Sequence, residues 1–202
     1  MRAVVTEADI PMHGELRFAE GGIVTMAARE LAAARGVSLV EVPARELNGI
    51  PEPSRTVAIG SDHGGFRLKQ DLLVLLASCG LAARDVGVHG ETAADYPDIA
   101  VAVAGLVAEG VAGRGIVVDG AGIGSCMAAN KVRGIRASLC YDVASARNAR
   151  EHNDANVLAL GGRMLTWSQA EAVVRTWLAT PFAGGRHQAR VDKIMAIERG
   201  AS

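Results

Sequence analysis

Short polar clusters interrupt an otherwise aliphatic chain, and their residue types suit proton transfer and anion binding: Asp62-His63, Asp119 with its trailing glycines, His152-Asn153, and Arg186 with Arg190. The central one follows Gly115 to Val118, a short apolar, β-branched run with the pattern of a strand buried on both faces. That run ends in Asp119. Gly120, Ala121, Gly122, Ile123 and Gly124 then form a loop almost free of side chains. From Ser125, a cap or first-turn residue, the chain through Cys126, Met127, Ala128, Ala129 and Lys131 can be helical. Glycines let a ligand approach the backbone, and a helix start aims unpaired N–H groups at negative charge. A carboxylate at the strand end facing such a loop suits proton transfer. Read alone, the same residues fit a tight βα turn in which Asp119 only caps the helix, and the two readings stand level. The glycine spacing is not a dinucleotide fingerprint and no acidic partner follows it, so nicotinamide binding is not expected.

The elements that must position these residues follow from composition and periodicity. The chain has 202 residues, half of them hydrophobic and only 3% aromatic, with a formal charge of -1. This aliphatic, glycine-rich balance suits parallel strands covered by helices. No Lys/Arg block is interleaved with aromatics, which excludes nucleic acid as an expected partner. Cys79, Cys126 and Cys140 are odd in number and lack metal-ligand spacing, as free thiols in a reducing compartment would. No apolar run is long enough to cross a bilayer, and the N-terminus lacks the core of a signal peptide. A soluble, cytoplasmic protein without membrane contact is expected.

The first 54 residues stand apart as an N-terminal α+β extension. Thr6 to Phe18 is mixed and polar. Val24 to Arg35 is helical in pattern with Thr25 as candidate cap, Gly36 stops it, Val37 to Val42 alternates like a strand, and Pro43 to Ser54 reads as a linker. So small a unit has little core of its own and is expected to pack on something, as an ornament in preference to a recruitment module. From residue 55 onward strands and helices alternate. Strands are expected at Thr56–Ser61, Ala82–Val86, Gly115–Val118, Ile135–Cys140 and Val157–Leu160. Helices are expected at Phe66–Cys79, Ile99–Glu109, Ser125–Lys131, Asp142–Arg150, Ser168–Leu178 and Val191–Glu198. The pattern implies an α/β, doubly wound, Rossmann-like five-stranded parallel sheet with helices on both faces. Ligands in such sheets sit beyond the carboxyl ends of the strands. Asp62-His63, the Asp119 loop and the His152-Asn153 run each read as occupying that position.

Taken together, GSDHGGFRLK (60–69), DYPD (95–98), the glycine loop with AANK (128–131), REHNDANVLALGGR (150–163) and GGRHQARVDKI (184–194) resemble the type B ribose-5-phosphate isomerases. That superfamily also holds the galactose-6-phosphate isomerase subunits. The resemblance covers about residue 56 to the C-terminus, with its blocks in the family's order. It implies a homodimer with active sites between subunits, and aldose–ketose isomerisation of a phosphorylated sugar without metal or cofactor. By the same resemblance, His152 is the ring-opening acid/base and Asn153 contacts a sugar hydroxyl. Asp62 and His63 line the pocket, and Tyr96 lies near the substrate. Arg186 and Arg190, four apart, would share a face at the start of the last helix as a phosphate clamp, with Arg163 joining them. The amides of Gly120, Gly122, Ile123 and Gly124 would hold the enediolate oxygen. Taken singly, Arg186 and Arg190 would be a solvated helix face and His187 an ordinary surface residue.

The chain also departs from the family. Many members carry a cysteine base where this chain has Asp119, and Thr or Ser where it has Ala121. Others carry a glutamate base where it has Ser125. An aspartate here, followed by Gly124-Ser125-x-Met127, is similar to one of the galactose-6-phosphate isomerase subunits. Three readings follow: Asp119 is the base, Cys126 reaches the substrate, or the chain is a sugar-phosphate-binding subunit that needs a partner for turnover. Asp119 is preferred as base. In the extension, Gly22-x-Val24-Thr25-x-Ala27-Ala28-Arg29-Glu30 looks like segments leading some enzymes of bacterial microcompartments. This implies a shell or cargo partner for residues 1–42.

Overall fold

The computed structural model describes residues 4–12, 14–19, 22–42, 55–90, 92–198 and 200. The expected linker at 43–54 lies outside them. The chain divides into two compact units, Met1–Glu52 and Pro53–Ser202.

The first unit is built from two parallel strand pairs and a helix. Strands β1 (Val4–Val5) and β3 (Ile23–Val24) pair with each other. Strand β2 (Glu15–Ala19) pairs in parallel with β4 (Ser38–Val42), Leu16 opposite Leu39. Helix α1 (Met26–Arg35) starts where the Thr25 side chain accepts the Ala28 N–H, and stops at Gly36, whose φ of 66° suits a residue without Cβ. Val5, Ile10, Val24, Ala28, Ala32 and Val37 form a buried cluster of the unit's own. The unit therefore has a small core, where the sequence promised almost none.

The second unit is the doubly wound sheet. Its strands are β5 (Thr56–Ser61), β6 (Ala82–Asp85), β7 (Arg114–Asp119), β8 (Ala137–Leu139) and β9 (Val157–Gly161). They lie in the order β6-β5-β7-β9-β8, and every pairing is parallel. The helices are α2 (Phe66–Ser78), α3 (Tyr96–Ala108), α4 (Ile123–Ala129), α5 (Val143–Glu151), α6 (Trp167–Ala179) and α7 (Gln188–Glu198), the last preceded by a 3-10 turn at Gly185–His187.

Alternation along the central strands feeds two cores. Ile59, Ile116, Val118, Leu158 and Leu160 face Leu72, Leu76, Val173 and Trp177 of α2 and α6. Ala58, Val117, Val157 and Ala159 face Ala100, Val103 and Ala104 of α3. The apolar area removed from water on both faces holds the central strands, at about 25 cal/mol per Å². The strand order reverses between β5 and β7, which opens the crevice where such sheets bind ligands.

Helix boundaries differ from expectation for local reasons. Helix α3 begins at Tyr96 because Pro97 has no N–H to leave unpaired in a first turn. Helix α4 begins at Ile123, behind Gly122 at φ 81°, so Ser125 is a first-turn residue and not the cap. Arg186 lies in the 3-10 turn, so the two expected clamp arginines do not share the start of one helix.

Candidate active site

At the carboxyl edge of the sheet, β5, β7 and β9 deliver Asp62-His63, Asp119 and Gly162-Arg163. The three loops touch because glycine allows it. A Cβ on Gly65 would overlap the carbonyl of Val118, and one on Gly162 would meet Gly64 O at 2.9 Å. Gly162 N–H donates to Asp119 O at 2.7 Å and Arg163 N–H to Gly120 O at 3.0 Å. The Asp62 carboxylate accepts Gly65 N–H at 2.9 Å. A cleft of about 410 Å³ is lined by His63, Gly64, Arg67, Leu68, Gly162 and Arg163. From the start of α3 Tyr96 closes over α4, so tightly that a methyl group on Gly124 would overlap its ring.

Asp119 is buried at 5% exposure. Its Oδ1 accepts the N–H groups of Ala121, at 2.7 Å, and of Gly122, and its Oδ2 accepts Ser125 N–H at 2.9 Å. The carboxylate thus caps α4 from six residues upstream. Burial alone would raise its pKa. The adjacent Ser125 hydroxyl and the amides of Gly122, Ser125 and Ala121 outweigh burial and hold it below the ordinary carboxylate value. The capping role is therefore present in the structure, and it makes Asp119 a weak base. The Ser125 hydroxyl lies beside the carboxylate, fully buried, without closing a hydrogen bond. The amides of Ile123 and Gly124 in the same turn have no hydrogen bond among the described residues. Tyr141, which the sequence did not single out, braces the loop through its hydroxyl on Ala121 O at 2.6 Å.

Cys126 fares worse as a reactive group. Its Sγ–H faces Ala137 O at 3.5 Å, and burial raises its thiol above the usual value.

A second cluster gathers where α5 ends. His152 is the residue after α5, and its ring stacks on His187 with centroids 4.2 Å apart and planes 4° from parallel. His187 is buried, contrary to its reading as a surface residue, because Ala183 N–H donates to Glu151 O at 3.0 Å and folds the 3-10 turn onto the helix end. Burial, followed by the nearby His152, Arg186 and Arg190, lowers the His187 pKa. Arg186 donates from Nε to His187 Nε2 at 3.4 Å. The turn at Asn153-Asp154 is clamped: Asp154 accepts Arg150 at 2.8 Å and Arg136 at 2.9 Å, and Arg150 also reaches Ala155 O at 2.7 Å.

The second cluster is not where the sequence reading put it. His152-Asn153 follows α5 and precedes β9, so it lies at the amino edge of the sheet, as does the segment that follows α6. Asp62, His63, Tyr96, Asp119, the glycine loop and Arg163 lie at the carboxyl edge. No hydrogen bond or ring contact joins the two clusters among the described residues. Among those residues, no trio of His, Cys, Asp or Glu side chains is arranged to hold a metal ion. No helix is long and apolar enough to cross a membrane.

Comparison with known proteins covers this unit. A family described as ribose/galactose isomerase matches residues 57–194. The chain is 43% identical over 145 residues to ribose-5-phosphate isomerase B of Escherichia coli, covering 72% of this chain and 97% of that one. A solved ribose-5-phosphate isomerase B from Clostridium thermocellum is 48% identical, with a TM-score of 0.71 over 73% of this chain and 99% of its own. One from Mycoplasma genitalium, solved with bound ribulose-5-phosphate, is 40% identical, with a TM-score of 0.69 over 71% of this chain and 96% of its own. These relatives give no support to the reading of the chain as a partner subunit that needs another protein for turnover.

Proposed function

Since this chain belongs to the ribose/galactose isomerase family, we propose that it interconverts ribose 5-phosphate and ribulose 5-phosphate in a site completed by a second copy of itself. The relatives' names support the substrate, and the separation of the two clusters supports the shared site. That separation is the observation the reading rests on most. One chain offers the Asp119 loop, Asp62, His63, Tyr96 and Arg163. The other offers His152, Asn153, Arg186 and Arg190.

The reaction asks for a ring opening and two proton transfers. On opening, the bond from C1 to the ring oxygen breaks, the C1 hydroxyl loses its proton and the ring oxygen gains one. His152 is the group presented for this exchange, and Asn153 holds a neighbouring hydroxyl. Arg186 and Arg190, with Arg163, grip the phosphate, whose binding energy positions the reacting carbons. Asp119 then takes the C2 proton. The electron pair forms the C1–C2 double bond, O1 takes the proton of the O2 hydroxyl, and the enediolate charge passes to O2. That charge faces the free amides of Ile123 and Gly124 beside Gly120 and Gly122. Return of the proton to C1 completes the ketose. The Ser125 and Gly122 contacts leave Asp119 a weak base, so binding and amide stabilisation must supply most of the rate.

The N-terminal unit lies outside residues 57–194, which the family matches. A recruitment role toward a microcompartment shell or cargo is the further reading its residues 1–42 allow.

Mixing two inactive variants tests the shared site. Asp119→Asn and His152→Ala chains are exchanged, and isomerisation of ribose 5-phosphate, which must be opened, is followed by proton NMR in heavy water; the wild-type protein is also given a panel of phosphorylated aldoses and ketoses. In a statistical mixture of two-fold dimers, one intact site forms in half of the dimers, so about a quarter of wild-type activity returns. No recovery despite proven subunit exchange overturns the shared site. Absence of deuterium exchange into any sugar phosphate by the wild-type protein overturns the isomerase reading.

A further inference from the structure

The proton on His152 is placed by a chain of side-chain contacts that begins at a backbone carbonyl. Asn148 and His152 lie four apart at the end of α5, and Asn148 Nδ2 is 2.9 Å from His152 Nδ1. Which partner donates follows from Asn153. Its Nδ2 lies 3.3 Å from the main-chain O of Asn148 and 3.3 Å from Asn148 Oδ1. A carbonyl oxygen only accepts, so Asn153 must present its NH2 group there. Asn148 therefore turns its Oδ1 toward Asn153 and its NH2 toward His152. The imidazole Nδ1 is an acceptor, and the neutral ring carries its proton on Nε2.

The rest of the ring's surroundings fit that assignment. One face is covered by His187. From α5, Glu151 Oε1 stands 3.9 Å from Nε2, beyond hydrogen-bond reach. From the C-terminal segment, Arg186 and Arg190 add positive charge around the pair of rings. Among the described residues no hydrogen bond is made at Nε2, so Nε2–H is open to a ligand.

We propose that Asn148 is a positioning residue, which holds His152 as the neutral Nε2–H tautomer so that Nε2 meets the sugar as a hydrogen-bond donor. The role in turnover rests on the isomerase reading; the tautomer does not. The donor is aimed at the ring oxygen, where negative charge builds as its bond to C1 breaks. A neutral imidazole N–H can polarise such an oxygen. Asn148 would then matter for opening a cyclic substrate and not for the proton transfers on an open one.

The two demands can be measured apart. Ribose 5-phosphate is cyclic and must be opened. Ribulose 5-phosphate has its O5 blocked by phosphate and cannot close a five-membered ring, so loss of its C1 proton to heavy water needs no ring chemistry. The variants are Asn148→Leu, which removes the donor, and Asn148→Asp, which replaces it with an acceptor. In the full chain without substrate, nitrogen–proton correlation NMR of the histidines should show His152 protonated on Nε2. It should show a tautomer mixture in Asn148→Leu and a proton on Nδ1 in Asn148→Asp. With Asn148→Asp, turnover of ribose 5-phosphate should fall at least about tenfold, within the range of one acid–base group. C1 exchange of ribulose 5-phosphate should stay within about twofold, and Asn148→Leu should lie between. A wild-type proton on Nδ1, a tautomer indifferent to both variants, or equal losses in both assays would overturn the proposal. A wild-type protein that exchanges neither sugar would overturn the isomerase reading, and the NMR arm would still decide the tautomer.

Discussion

Replacing Asp119 with asparagine separates capping from catalysis, because the shape is kept while charge and one acceptor are lost. The carboxylate now accepts three backbone N–H groups, from Ala121, Gly122 and Ser125. The least damaging placement of Asn keeps Oδ1 on Ala121 and Gly122 and sets its NH2 against Ser125 N–H, donor against donor. One charge-assisted bond is lost and one buried N–H is left without a partner, together about 2–3 kcal/mol. For a chain of 202 residues that lowers the melting temperature by about 5–10 °C. If Asp119 is also the base, solvent-deuterium exchange should fall by about 10²–10⁴-fold while the protein is still folded. Sugar-phosphate affinity should stay within about threefold, since a base adds little to ground-state binding. The pH dependence carries its own sign. The Asp119 pKa is held below the unfolded carboxylate value, despite burial acting the other way. Its stabilisation is therefore complete above an unfolded pKa of about 4 and fades as pH falls through the folded value. The wild-type and Asp119→Asn melting curves should converge in acid. Full turnover with a lowered melting point would reduce Asp119 to a cap, and an unchanged melting point would refute the hydrogen-bond argument itself.

The remaining expectations are simpler. Arg186→Ala with Arg190→Ala should raise KM for ribose 5-phosphate at least about tenfold, two charge-assisted contacts being lost, while the rate on unphosphorylated ribose stays put. An equal loss on both sugars counts against the clamp. Burial, with His152, Arg186 and Arg190 against the weaker opposing effect of Glu151, lowers the His187 pKa. The unfolded chain thus binds its proton more readily, and stability should fall as pH drops below about 6.5. His187→Phe keeps the stack and should flatten that slope in urea titrations. Both sheet cores lie within the second unit, so a chain starting at Arg55 should keep turnover within about twofold of the full chain. Loss of activity or solubility would make the N-terminal unit an integral part of the fold.

The central strands β5 and β7 were legible because they carry short β-branched runs bounded by turns. Thr56–Ser61 was read to its ends, and β7 to within a residue. The edge strand β8 is shorter than the Ile135–Cys140 run that marked it. Before the strand, Arg136 N–H is taken by the Asn156 side chain at 2.8 Å, so pairing begins only at Ala137. The glycine loop announced a site and left Asp119 as base or cap; that it draws on the amides of Ala121, Gly122 and Ser125 together shows only in the structure, because backbone donors have no sequence signature. His187 lay between two arginines and looked solvated. Its burial depends on the Ala183–Glu151 contact, which joins segments far apart in the chain. Asn148 and His152 stood at helical spacing in plain view, yet four-residue pairs of polar groups on a helix end are common and their direction shows only in coordinates.

The placement of His152 carries the larger lesson. It follows a helix, and in a parallel sheet a residue after a helix has returned to the amino edge. Strand β7 alone runs from Arg114 to Asp119, about 17 Å at about 3.3 Å per residue, which no pentose phosphate spans. Among the described residues, the helix that carries His152 is held at both ends. Helix α5 is capped by Asp142 at one end and its exit is clamped by Asp154 between Arg150 and Arg136. If both clusters serve one small molecule, they must come from different chains. Ile123 and Met127, exposed on α4 beside the Asp119 loop, then have a use. A second copy seated there would cover apolar surface at the same time as it brings its histidine and arginines to the carboxylate.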